Sequence, residues 1–435
     1  MQLQYHIGKI SWTLADKVLY VVYGFVYLIQ ISLLGTEDLA LFGFLIAFNT
    51  WIFVISDSFA LQSIIQYGFI PENRSKVNLY AAILHIAIVG GLSLIVYMLG
   101  SVFSAVLSEP RFMEITPYLP LLSLFMLPRT YALKLMLRDH KIYKIFISNF
   151  VFFGVMVFEI LNYKFSQSSI SLNEAIIIYL KGTAASSVVA MLLSLKELRF
   201  SLSGNIRIKQ IVNFSLPFTF TNAINTIPKY LDIVILKLFF PLDQIGVYSA
   251  AKSLFKFFEE GMNGVNGLVY PASVRNVTEE NAAGLKSIVS KAVSFTLVGF
   301  IILSTILTFG LADFLIGFLM KSKFIDASVY FKIMLIASLF LPFNILYFVI
   351  TASGKHFDLM KIVSVSFIVA VISFIIVGLI GNPFLMPFGY VAFYMSFSIL
   401  AFNYVNRSGI VELRFRDLFR SVNDSLKFIS KFRKS

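Results

Sequence analysis

Twelve apolar stretches succeed one another along this chain, and their length constrains the fold more than any motif does. They run near 10–34, 40–67, 78–106, 115–137, 142–163, 173–195, 211–240, 244–270, 288–317, 328–350, 359–380 and 384–405. Each is about 20 residues or longer, the span an α-helix needs to cross the hydrocarbon core of a bilayer. In lipid the backbone must satisfy its own hydrogen bonds, so such stretches become helices. Residue content agrees: 58% is hydrophobic and 14% charged, against roughly 45–50% and 25% in soluble domains. The expected fold class is an all-α polytopic membrane protein with about twelve transmembrane helices and no room for a soluble domain.

Basic residues fall in alternate connections. Lys9; Arg74 and Lys76; Lys134, Arg138, Lys141 and Lys144; Lys196, Arg199, Arg207 and Lys209; Arg275, Lys286 and Lys291; and Lys355 and Lys361 share one side. The intervening connections hold only Arg111, Lys164, Lys321 and Lys323. The positive-inside rule then puts both termini in the cytoplasm, which requires an even number of spans. The net charge of +13 follows from this orientation and from anionic lipid headgroups, without nucleic acid as a partner. No signal-peptide pattern opens the chain, so the first helix is expected to stay. The tail over 407–435 places Phe415, Phe419, Val422, Leu426 and Ile429 on one helical face. Arg416, Arg420, Lys427 and Lys431 cover the rest, the pattern of an interfacial amphipathic helix.

Short echoes link the two halves. Ser123-Leu-Phe-Met-Leu-Pro128 returns as Ser338-Leu-Phe-Leu-Pro342, and Gly43-Phe-Leu-Ile-Ala-Phe as Gly246-Val-Tyr-Ser-Ala-Ala. His140-Lys141-Ile-Tyr-Lys144 is matched by Lys355-His356-Phe-Asp-Leu-Met-Lys361. Their common order points to an internal duplication: a six-helix bundle over 1–200, a second over 201–406, and a central cavity. Transporters built from parallel repeats bind substrate near the midplane and work by alternating access.

Charges inside the apolar stretches are the candidate functional residues, since one at the bilayer centre costs roughly 2.5–3.5 kcal/mol even on the lenient scale. The seventh stretch spaces Asn222, Asn225, Lys229 and Asp232 along a narrow arc, with Pro228 expected to kink the helix. Lys229 and Asp232 either line the cavity or neutralise each other at i, i+3. The eighth carries Lys252 and Lys256, with Glu260 in reach of Lys256. The first shows Asp16, Tyr20, Tyr23 and Tyr27 on one side; the tyrosines suit either a sugar chain or plain packing. Arg129 follows Pro128 at mid-span and is a candidate cavity cation or a bridge to Asp57, while Lys181 can snorkel outward. Several mid-membrane cations suggest a large anionic cargo. Asp16, Asp57, Asp232 and Glu260 are the candidates for coupling to an ion gradient.

Enzyme signals are missing. The four histidines form no H-E-x-x-H spacing, and no G-x-x-x-x-G-K-[ST] loop exists. Zero cysteines exclude disulfides, thiolate metal sites and cysteine nucleophiles. No cofactor and no metal are expected.

Three segments carry a resemblance: Ile211-Val-Asn-Phe-Ser-Leu-Pro217, Asp232-Ile-Val-Ile-Leu236 and Ile245-Gly-Val-Tyr-Ser-Ala-Ala251. With the span number, duplication and loop basicity, the chain resembles the polysaccharide (O-antigen or capsule repeat-unit) flippases of the multidrug/oligosaccharidyl-lipid/polysaccharide exporter superfamily. Asp57-Ser58-Phe59-Ala60-Leu61 is similar to that family's acid-plus-small-residue segment, although glycine is more usual after the acid. The resemblance implies a bacterial inner-membrane protein that moves a lipid-linked oligosaccharide, carried on undecaprenyl diphosphate, to the periplasmic leaflet. It also implies a polysaccharide polymerase and a chain-length regulator as partners. Lys252, Lys256, Lys229 and Arg129 would serve the diphosphate as charge-assisted donors. The rivals are a multidrug/cation antiporter of the same superfamily, whose cavity should be acidic, a peptidoglycan-precursor flippase, closer in chemistry but usually with two extra helices, and a membrane-embedded polysaccharide polymerase or ligase, which would need a long outer loop.

Overall fold

The computed structural model describes residues 2–226, 228–320, 322–414 and 416, and their side chains except at 2–10, 221, 224, 225, 228, 229 and 322. Phe415 and residues 417–435, and with them most of the expected amphipathic tail, lie outside the described residues. Regular structure among the described residues is helical throughout. The chain opens with α1 (Gln2–Leu33) and α2 (Thr36–Ser56), continues through a π-helical turn (Asp57–Leu61) into α3 (Gln62–Gln66), and returns as α4 (Arg74–Met98). Then come α5 (Gly100–Val106), α6 (Phe112–Ile115), α7 (Tyr118–Arg138), α8 (Ile142–Phe165) and α9 (Leu172–Ser194). After a connection follow α10 (Ile208–Thr226), α11 (Pro228–Lys237), α12 (Leu242–Thr278), α13 (Ala282–Ile306) and α14 (Ala312–Met320). The last are α15 (Ala327–Ser338), α16 (Ile345–Ala352), α17 (His356–Ile380) and α18 (Pro387–Arg407).

The outer faces of these helices are strongly apolar. Phe165, Leu268, Phe309 and Leu379 are each at least 76% exposed, and such surfaces are stable against lipid, not water. Eight spans pass on length and apolar content among the described residues, and α15 with α16, bent by 51°, makes a ninth. The bend falls at a 3-10 turn holding Pro342. The other expected spans correspond to α7, α10 with α11, and α12, which carry the charged residues Arg129, Lys134, Asp232, Lys252 and Lys256. This is an all-α, multi-pass membrane protein.

Two compact units divide the chain at Gly246 and Val247. In the first, α1 packs on α8, α8 on α9, and α7 on α9 and α4. Buried Phe44, Phe48 and Phe112 cluster within it, with the Phe44 and Phe112 rings edge to face at 5.9 Å and Phe48 and Phe112 at 5.8 Å. The seventh span, expected with the second bundle, joins this first unit, where α10 packs on α2 and the π turn. A hydrogen bond ties it there, with Asn222 Nδ2 donating to Ser58 Oγ at 3.0 Å. Gly246, early in α12, lies so near the start of α2 that a Cβ would meet the Thr36 carbonyl oxygen at 1.9 Å. Pro228 begins α11, where a missing N–H is least costly.

In the second unit the α17–α18 hairpin is the broadest contact, and α15 packs on α18. Gly389 lets the two helices close: a Cβ there would enter the Phe374 ring at 2.3 Å. Gly381 ends α17 in the left-handed region at φ 73°.

Candidate functional site

One polar relay links four helices of the first unit. On α8, Asn149 donates through Nδ2 to Asp16 Oδ1 of α1 at 2.8 Å. Its Oδ1 accepts from Arg129 Nη2 of α7 at 2.6 Å. Arg129 Nε donates to Ser186 Oγ of α9 at 2.8 Å, and that hydroxyl donates to the Ser148 carbonyl at 2.7 Å. The guanidinium also lies 4.7 Å from the Phe152 ring centroid, and the side chain is buried. Every contact is charge-assisted or satisfies a buried group, which is how a low-dielectric interior retains a cation.

Asp57 is not bridged by Arg129. Lys134 holds it instead, with Nζ at 2.9 Å from both carboxylate oxygens. Helix phase is the reason. The five-residue step from Arg129 to Lys134 rotates the side chain by about 140°, so α7 aims Arg129 at α8 and α9 and Lys134 at the π turn after α2. Lys134, read from the sequence as a cytoplasmic loop cation, remains on the helix because α7 runs unbroken through Pro128 to Arg138. Asp57 opens the π turn, a local widening frequent at functional sites. Lys181 pairs with Glu159 at 2.7 Å.

The tyrosine stripe of α1 packs on α8. Tyr20 meets Phe153 edge-on at 4.8 Å, and Tyr23 lies 4.7 Å from the same ring and 6.1 Å from Tyr27. Tyr20 keeps 41% of its surface exposed, whereas Tyr23 and Tyr27 are half-buried. Asp232 is fully buried on α11. The side chains of Asn225 and Lys229 lie outside the described residues.

In the second unit Lys252 is buried, with its ammonium 5.5 Å from the Tyr390 ring centroid. One further residue emerges that the sequence reading passed over. Glu259 Oε1 accepts hydrogen bonds from the hydroxyls of both Tyr390 and Tyr394. The adjacent Glu260, the acid expected from the sequence, is exposed, as is Lys256. The available signal was the seven-residue step from Lys252 to Glu259, two turns along the same face. Among the described residues no group of three acids or histidines could hold a metal ion.

Charge also organises the ends of the first unit. Arg111 Nη1 and Nη2 donate to Glu37 at 2.8 Å and Asp38 at 2.6 Å, and the bond to Asp38 raises the arginine further above its already high range. At the opposite end, Glu197 accepts from Lys141 and from Lys144. Burial pushes the Glu197 carboxyl up, but the bonds from Lys141 and Lys144 prevail and hold it below its ordinary value. Asn78 Nδ2 donates to the carbonyls of Glu197 and Arg199, both at 3.1 Å. Asn73 Oδ1 accepts from the Asn205 and Ile206 amides at 3.0 and 3.2 Å. The connection after α9 is thus strapped to the start of α4.

Comparison with known proteins identifies this architecture. No protein-family model and no curated protein matches the sequence. Among solved structures, the inward-facing conformation of a multidrug resistance MATE family transporter of the MOP superfamily superposes with a TM-score of 0.72 at 14% identity, over 91% of this chain and 94% of that one. The lipid II flippase MurJ, in an inward closed conformation, gives 0.74 at 12% identity, over 99% and 93%. A MOP superfamily transporter from Pyrococcus furiosus, described as having a binding pocket of reverse polarity, gives 0.66 at 14% identity, over 92% and 94%. The chain shares the fold of these MOP-superfamily transporters.

Proposed function

We propose that this protein is a flippase that moves an undecaprenyl-diphosphate-linked oligosaccharide repeat unit across the bacterial inner membrane by alternating access, for O-antigen, capsule or exopolysaccharide synthesis. It acts as a transporter, without catalysis or a cofactor, and hands its cargo to a polysaccharide polymerase and chain-length regulator. The observation that carries this reading is Lys252, a cation buried within a membrane-spanning helix of the second unit. Keeping a charge there costs roughly 2.5–3.5 kcal/mol, and a diphosphate would add charge-assisted hydrogen bonds to the contacts the ammonium already has. Lys256, one turn further on and exposed, adds a second cation in the same unit. The shared fold with a lipid II flippase supports a lipid-linked cargo.

Asp16, joined to Asn149 in the first unit, favours a second reading, a multidrug exporter for cationic cargo. One experiment separates the two. Lys252→Glu is expected to abolish complementation of a repeat-unit flippase-null strain while the protein still inserts, and Lys252→Arg to retain much of it. Wild-type polysaccharide export from Lys252→Glu, or drug resistance conferred by the wild-type chain and lost in Asp16→Asn, would favour the exporter.

A further inference from the structure

The second unit carries a groove of about 760 Å³ between α13 and α15, within the roughly 300–1,000 Å³ of small-molecule sites. Leu297 and Ile301 of α13, Phe309 of the π-helical turn that follows, and Leu335, Ile336 and Leu339 on the α15 side line it. The nearby hydroxyls are satisfied within the protein. Ser304 and Ser338 bond each other at 2.7 Å, and Thr305 donates to the Ile301 carbonyl at 2.7 Å. The wall left over is apolar, and both helices belong to candidate membrane spans, so hydrocarbon chains are what it meets.

One end of the groove differs. Lys332 is the single charged residue among the described ones that line it, and it precedes Leu335, Ile336 and Leu339 on one helical face. It stands five residues into α15, which starts at Ala327, about 7.5 Å along the helix and therefore close to the membrane surface. Its Nζ donates to Asp313 Oδ2 of α14 at 2.6 Å, and Ser328 Oγ donates to Asp313 Oδ1. Asp313 follows the kink at Gly310 that separates α13 from α14. The pair stays open to its surroundings, with the lysine side chain 30% and the aspartate 56% exposed.

We infer that this groove is a lipid site that selects phosphatidylethanolamine, with one acyl chain between α13 and α15 and the headgroup on Lys332 and Asp313. Charge complementarity carries the choice. An ammonium has three donors and a carboxylate about four lone-pair positions, so the Lys332–Asp313 pair keeps donors and acceptors side by side. A phosphoethanolamine headgroup matches both: its phosphate accepts from Lys332, and its ammonium donates to Asp313, each as a charge-assisted hydrogen bond. A phosphate alone would lie beside the Asp313 carboxylate with no donor to offer it. A choline headgroup has the same charges but no N–H. An ion pair that merely fastened α14 to α15 would make no distinction among these lipids.

The test is native mass spectrometry of the purified full chain, delipidated in detergent and offered dioleoyl lipids in equimolar pairs, a readout that involves no cargo and so stands apart from the flippase reading. The wild type is expected to retain phosphatidylethanolamine over phosphatidylcholine about tenfold, or about 1.4 kcal/mol. Asp313→Asn should bring that ratio close to one, and Lys332→Met should weaken retention of both lipids. Equal retention by the wild type overturns the site, as does a preference for phosphatidylglycerol over phosphatidylethanolamine. A preference that survives in Asp313→Asn overturns its placement. If the variants do not fold, the wild type alone decides: retention should fall stepwise across the mono-, di- and trimethylated headgroups, and a flat series overturns the assignment.

Discussion

Each unit couples a buried cation to an acid through a neutral intermediary, and the two do so differently. In the first, Arg129 reaches Asp16 through Asn149. In the second, Lys252 reaches Glu259 through Tyr390, ring face to the ammonium and hydroxyl to the carboxylate. The arginine is a rigid fork whose donors end on Asn149 and Ser186, side chains of two neighbouring helices. The lysine is a point charge on a flexible stem beside a π face, where contacts rearrange with little geometric penalty. One cation is held by directional hydrogen bonds, and the other has an aromatic face among its contacts. A buried charge in a membrane protein therefore has to be judged by what it touches as well as by its depth.

That contrast can be broken, and the largest effect belongs to Arg129. Arg129→Ala strands Asn149 and Ser186 and should destabilise by about 3–5 kcal/mol, seen as a marked fall in the unfolding midpoint in detergent. A variant that unfolds like the wild type would erase the distinction between the units. Tyr394→Phe removes one of two donors to a carboxylate and should cost about 1.5–3 kcal/mol in the same assay. Lys252→Met gives up, among its contacts, the one to the Tyr390 ring, worth about 0.5–2 kcal/mol, and under the proposed function is expected to cost export far more than it costs stability. A large stability loss there would make Lys252 scaffold too. The smallest effect calibrates the scale: Lys181→Ala deletes a pair whose lysine is 52% exposed, and such pairs contribute about 0–1 kcal/mol.

Acid offers a further test in the first unit, at the strap beyond α9. The Glu197 carboxyl is lowered in the folded protein, with burial opposed and overcome by Lys141 and Lys144. A lowered folded value means that the group's stabilisation is present above the ordinary carboxylate range and is lost as pH falls through the folded value. Unfolding midpoints measured downward from pH 5 should therefore drop more steeply in the wild type than in Glu197→Gln. Parallel slopes would show that the strap does not depend on this charge.

Much of this was legible along the chain. Asp16, Arg129, Lys252 and Asp57 stood out because each is a charge in an apolar stretch. Their partners did not. Pairing Asp57 with Lys134, and freeing Arg129 for Asn149, depends on helical phase and on which helices lie beside α7. Glu259 and Glu260 are neighbours in sequence but about 100° apart around the helix, and only the position of Tyr390 and Tyr394 decides that the former turns inward.

The linear order of residues by itself determined that this is a multi-pass helical membrane protein, because chain length per span and the cost of unbonded backbone in lipid are local properties. It also determined which charges had to be explained, since burial in lipid penalises them wherever their partners lie. The tertiary structure alone decided the partners, and it held the seventh helix against the π turn after α2 through Asn222. Those outcomes depend on distances between helices remote in sequence, which no local pattern encodes.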